Sequence, residues 1–76
     1  MFALQLVPPF KMYIRASDGL MTDNKSSAKV FESIQQAEEY YTDWLATKVQ
    51  GTIRFNIVEV EVKKVITKQL RVIKEL

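Results

Sequence analysis

Apolar and polar residues first alternate along the chain. Phe2, Leu4 and Leu6 interleave with Ala3, Gln5 and Val7, the period of a short strand, and Pro8-Pro9 ends it because proline donates nothing to a sheet ladder. A second alternation sets Phe10, Met12, Ile14 and Ala16 on one face and Lys11, Tyr13, Arg15 and Ser17 on the other. Asp18-Gly19 then predicts a two-residue type I′ hairpin turn, since both residue types tolerate the positive φ it demands. Leu20-Met21-Thr22 starts the returning strand, Asp23-Asn24-Lys25-Ser26-Ser27 reads as a loop or bulge, and Lys29-Val30-Phe31 resumes extended structure.

From Ser33 the period lengthens to that of a helix. Ser33 is placed to cap it, and Gln36 three residues on completes a capping box. Ile34, Ala37, Tyr40, Tyr41, Trp44, Leu45 and Val49 share about half of the helical circumference, with Glu38 and Lys48 at its rim and Gly51 as the C′ residue. The next strand changes face. Ile53, Phe55 and Ile57 have one parity and Val58, Val60 and Val62 the other, so the sequence asks for a β-bulge near Ile57–Val58 or for burial on both faces. From Val62 onward Val65, Ile66, Leu70, Val72, Ile73 and Leu76 cluster on one side of a helical wheel, with the charges opposite. This favours a terminal amphipathic helix. Missing N-cap residues and frequent β-branching keep a strand extension as the alternative. The expected class is α+β: a small, mainly antiparallel sheet in the order β-β-β-α-β, one helix on one face, and a C-terminal amphipathic helix or strand extension.

Length sets a single domain over 1–76, with a compact hairpin–helix–strand body at 10–62 and a basic amphipathic segment at 63–76. Charge divides at the same point. Residues 1–62 carry six Lys/Arg against eight Asp/Glu, whereas residues 63–76 set Lys63, Lys64, Lys68, Arg71 and Lys74 against Glu75 alone. No stretch approaches the roughly 20 apolar residues of a membrane span. The opening residues lack a basic n-region and a full apolar core, so a soluble, cytoplasmic protein is expected.

The chain has no histidine and no cysteine. That removes the usual general base, the thiol nucleophile, and the nitrogen and sulfur ligands of most transition-metal sites. No catalytic, cofactor-binding or metal-binding residue is expected, and no cofactor. Ser26-Ser27-Ala28-Lys29 matches S-x-x-K but lacks every companion motif of that chemistry. Asn24-Lys25-Ser26 is a formal glycosylation sequon in a loop. Glu59 and Glu61 project from one strand face as a carboxylate pair, but Lys63 continues their row, and a solvated face explains them better than a cation site.

Two features point to partners. Tyr40, at the edge of the helix's apolar stripe, suits a contact surface because Tyr and Trp dominate interface energetics, while Tyr41 and Trp44 fit the core. Lys63, Lys64, Lys68, Arg71 and Lys74 suit a protein groove or, alternatively, nucleic-acid phosphates.

The arrangement of Tyr13-Ile14-Arg15, Asp18-Gly19, Phe31-Glu32-Ser33, Ala37-Glu38-Glu39-Tyr40 and Phe55-Asn56-Ile57-Val58-Glu59-Val60 resembles small phage and prophage accessory proteins of hairpin–helix–strand type. These include inhibitors of bacterial defence systems, and the similarity spans roughly residues 10–62. The resemblance implies a non-enzymatic module that binds and modulates a host protein, and it assigns no functional residue. A homodimer through the terminal segment or an open sheet edge is a further expectation.

Overall fold

The computed structural model describes residues 1–6, 12–48 and 54–76. Expectations for Pro8-Pro9, Phe10, Val49, Gly51 and Ile53, and for the side chains of Leu45 and Lys48, lie outside that description. Strands β1 (Phe2–Leu6), β2 (Tyr13–Ile14) and β3 (Met21–Thr22) precede helix α1 (Ile34–Lys48), and strands β4 (Phe55–Lys63) and β5 (Val65–Glu75) follow it. They form one antiparallel sheet in the order β3-β2-β1-β4-β5. The α+β class and a helix packed on the sheet are as the sequence implies.

The face change in β4 is resolved by burial on both sides. Phe55, Ile57 and Val58 are wholly inaccessible and Val60 nearly so. Phe55 and Ile57 join Leu4, Ile14, Phe31, Ala37 and Trp44 beneath α1. Val58 and Val60 join Ala3, Tyr13, Ala28 and Ile66 in a second core on the opposite face. The second core also takes up Tyr13, which the alternation sets on the face opposite Ile14; Ala28 and Val30 pack on that face, and the ring is buried.

The terminal helix is overturned: Val65–Glu75 is an edge strand paired along β4. Opposed pairs run Val62↔Ile66, Glu61↔Lys68, Val60↔Gln69, Glu59↔Arg71, Val58↔Val72 and Ile57↔Lys74, so the register slips repeatedly and Thr67, Leu70 and Ile73 face no partner. Each slip is a bulge, and each shifts the side-chain alternation by one residue. Sheltered positions fall at Ile66 and Gln69 on the second-core face and at Ile73 and Leu76 on the helix-side face, a spacing of three and four that imitates a helix.

The Asp18-Gly19 expectation is corrected as well. Gly19 has φ of 72°, but Asp18 is not in the left-handed region, so the turn is not type I′. Arg15 N donates to Leu20 O at 2.6 Å, enclosing a four-residue loop at 16–19. Asp18 Oδ1 accepts from Leu20 N at 3.0 Å, and Trp44 Nε1 donates to Gly19 O at 2.7 Å, tying the loop to α1. At the helix start Gln36 N donates to Ser33 Oγ at 3.1 Å, and Gln36 Oε1 accepts from Glu32 N at 3.0 Å, one residue before the expected capping-box donor.

Candidate functional site

Tyr40 lies where α1 crosses the extended segment that leads into it. Lys29 N donates to Ile14 O at 2.9 Å, and Phe31 exchanges two backbone bonds with Phe2 at 2.8 and 2.9 Å. These bonds fix the segment against β2 and β1, and strand alternation carries Lys29 and Phe31 to the same side. The Phe31 and Tyr40 rings meet at 5.4 Å with a 58° tilt. Lys29 Nζ stands 5.2 Å from the Tyr40 ring centre and 5.7 Å from that of Phe31, within cation–π range of both. Gln36, Glu39 and Asp43, one helical turn apart, complete a shallow groove of about 340 Å³. The sequence singles out Tyr40 but not its neighbours Lys29 and Phe31, although their i, i+2 spacing is a legible sign of a shared face.

The other candidates lie along β5 and its hairpin, and the structure does not bring them to Tyr40's groove. Lys63 flanks the turn, and Lys64 at its apex has φ of 69°. Arg71 Nε donates to Glu59 Oε1 at 3.0 Å, Lys68 Nζ stands 3.9 Å from Glu61 Oε2, and Lys74 Nζ donates to Glu38 Oε1 at 2.7 Å. The charge division seen along the sequence thus largely cancels in space, because β4 and α1 present carboxylates to three of the five cations. Lys63 and Lys64 have no ion-pair partner among the described residues. Exposed aliphatics accompany the cations: Val65, Leu70 and Val72 each keep over two-fifths of their surface in water.

The nominal catalytic matches are occupied by structure. Ser26 Oγ donates to Asn24 Oδ1 at 2.7 Å, while the Lys29 ammonium lies over the Tyr40 ring. Asn24 caps the 3-10 turn Lys25–Ser27, and Lys25 Nζ donates to the carbonyl of Thr67, one of the β5 residues without an opposed partner. Glu59 and Glu61 are held by Arg71 and Lys68, and among the described residues no three His, Cys, Asp or Glu side chains are grouped to hold a metal ion. Among the described residues, Tyr13 and Arg15 have shifted titrations. Burial raises the Tyr13 phenol above its ordinary range, partly countered by its hydrogen bond with Gln5. The Asp18 hydrogen bond and charge raise the exposed Arg15 guanidinium.

No helix among the described residues is long and apolar enough to cross a membrane. No protein-family model, curated protein or solved structure matches the chain.

Proposed function

We propose that the chain is a small non-enzymatic protein-binding module of the cytoplasm, acting as a phage-type inhibitor or modulator of a host defence protein. The observation that carries the binding reading is the Tyr40 groove. Tyr40 is left half-exposed on the helix, its ring set against the buried Phe31 of a fixed backbone segment and rimmed by polar groups, the composition of an interface anchor. The test is affinity for a partner captured from host lysate, identified and then purified. Tyr40→Ala should weaken that complex by at least about tenfold, as loss of an interface anchor does. Unchanged affinity, or capture abolished by nuclease, overturns the reading.

Self-association is a second reading, favoured by Val65, Leu70 and Val72 on the sheet edge. The register slips make continuous strand-to-strand pairing poor there, so the contact would be through side chains. Light scattering that shows only monomer at high concentration removes it.

A further inference from the structure

The far end of the β4–β5 hairpin projects past its neighbour β1. β1 opposes β4 only as far as Phe2↔Glu59, with Val60 N donating to Met1 O at 2.9 Å at the margin. Glu61–Lys63 and Val65–Lys68 run on beyond that point as a two-stranded arm. Its second-core face is held firmly, because Val62 and Ile66 pack with Ala28 and Val30. Thr67 Oγ1 donates across the arm to Glu61 O at 3.2 Å, and Lys25 Nζ donates to Thr67 O at 3.4 Å. Lys25 comes from the 3-10 turn Lys25–Ser27, so the fold adds a cation that the charge pattern along the chain does not place there. Its ammonium stands beside Thr67, three strand residues from Lys64, a span on the order of 10 Å and about one Debye length at physiological salt. Lys25, Lys63 and Lys64 are all exposed, and none enters a salt bridge among the described residues. The arm's carboxylate, Glu61, accepts from Thr67 Oγ1 and stands 3.9 Å from Lys68, while Asp23 forms no salt bridge with Lys25. Val65 opposes Lys63 and shares its face, an exposed aliphatic set among the cations.

We propose that this arm is a second contact element, which docks on an acidic segment of the partner protein whose carboxylates flank an apolar side chain. This rests on the protein-binding reading and names the chemistry that the partner presents. Carboxylates meet Lys25, Lys63 and Lys64 as separate point charges, and the apolar side chain covers Val65. Duplex phosphate fits less well. It leaves Val65 uncovered and runs a continuous row of anions past Glu59 and Glu61, which share the face of Lys63. The backbone at the apex supports a part for the Lys64 side chain. Glycine would hold φ of 69° at less cost, and non-glycine residues kept in such backbone cluster where proteins make functional contacts.

The probe is the peptide acetyl-Glu-Glu-Leu-Glu-Glu-amide, titrated into the full ¹⁵N-labelled chain and followed by amide shifts, beside its Lys-for-Glu counterpart and a short DNA duplex. The acidic peptide should move signals of residues 24–27 and 61–68. Lys25→Gln, Lys63→Gln and Lys64→Gln, all at exposed positions, should each weaken it about two- to fivefold, the scale of one exposed charge contact. Arg71→Gln, whose guanidinium already faces Glu59, should change binding by less than about twofold. Val65→Thr keeps the branched shape, loses one apolar methyl, and should weaken the peptide about two- to threefold. No response to the acidic peptide, an equal response to the basic one, a Lys25→Gln variant that binds as well as the wild type, or tip signals moved by the duplex alone overturns the proposal. Any of these leaves the protein-binding reading standing if Tyr40→Ala still weakens partner capture. An intact tip titration with capture unaffected by Tyr40→Ala instead overturns the Tyr40 anchor alone.

Discussion

The Tyr13 hydroxyl donates to Gln69 Oε1 at 3.2 Å, joining β2 to β5 across the two strands between them. The ring that makes this reach packs with Ala3 and Val58, whose small or branched side chains leave room for it on the sheet's second face. Tyr13→Phe keeps the ring and removes the bond, so it should cost about 1 kcal/mol at neutral pH. The pH dependence adds a sign. Burial favours the neutral phenol, so its folded pKa lies above the unfolded 10.0. The resulting stabilisation is complete below pH 10 and is lost as pH rises through the folded value. Urea midpoints taken at about pH 9 and about pH 11 should therefore fall further in the wild type than in Tyr13→Phe. Equal falls would show that the phenol is not buried as described.

Phe55 is the keystone of the helix-side core: it is fully buried, with Trp44 edge-on at 5.4 Å and Tyr41 at 6.0 Å. Phe55→Ala should cost about 3–5 kcal/mol, against a total stability of roughly 4–11 kcal/mol for a domain of this size. Chemical denaturation should find the variant partly or wholly unfolded at 25 °C. A loss below about 1 kcal/mol would mean that the helix does not seat on this residue.

Among the described residues, Gly19 and Lys64 hold left-handed backbone, and they should respond in opposite directions. Gly19, at φ of 72°, tolerates it, and Gly19→Ala should destabilise by about 1–2 kcal/mol. Lys64, at φ of 69°, does not, and Lys64→Gly should stabilise by about 1 kcal/mol once glycine's own entropy is counted. Thermal unfolding of both variants checks the pair. It also separates the backbone role of Lys64 from any part its charge takes in binding.

Salt dependence tests the basic segment. Five phosphate-neutralising cations would give log K against log salt a slope near −4.5 on duplex DNA. Glu59, Glu61 and Glu38 already hold Arg71, Lys68 and Lys74, leaving Lys63 and Lys64. Binding to duplex DNA through this segment should then show a slope no steeper than about −2. A slope near −4.5 would mean that the ion pairs open for nucleic acid and would favour the nucleic-acid alternative.

The elements whose local pattern matched their surroundings were legible: the Ser33 cap, the buried Ala37–Trp44 stripe, and a β4 that asked for a bulge near Ile57–Val58 or for burial on both faces. Tyr13 was not, because nothing local reveals that the Ala28–Val30 segment folds over the second face. The partners of Tyr40 were half legible, since the Lys29–Phe31 alternation shows a common side but not that α1 lies across it. Charge was misleading for a similar reason. Glu38, Glu59 and Glu61 are remote in sequence from the cations they neutralise, so a tail that looks basic as a string is nearly balanced in the fold.

β5 shows most sharply why period alone misleads, and one pair of substitutions decides the matter. As a helix, residues 62–76 would place Ile66 and Leu70, four apart, on one buried stripe, and a charge at either would be equally damaging. In the bulged strand they differ. Ile66 is 3% exposed and opposes Val62 over the second core, whereas Leu70 is 49% exposed at a register slip. Ile66→Lys should therefore cost at least about 2–5 kcal/mol, the range for emptying a buried isoleucine site before any penalty for the charge. Leu70→Lys should stay within about 0.5 kcal/mol of the wild type, as surface changes do. Urea unfolding of both variants, read by Trp44 fluorescence, gives the comparison. Similar losses at the two positions would restore the helix, and loss at Ile66 alone establishes a strand whose repeated bulges impose the spacing of a helix on a sheet edge.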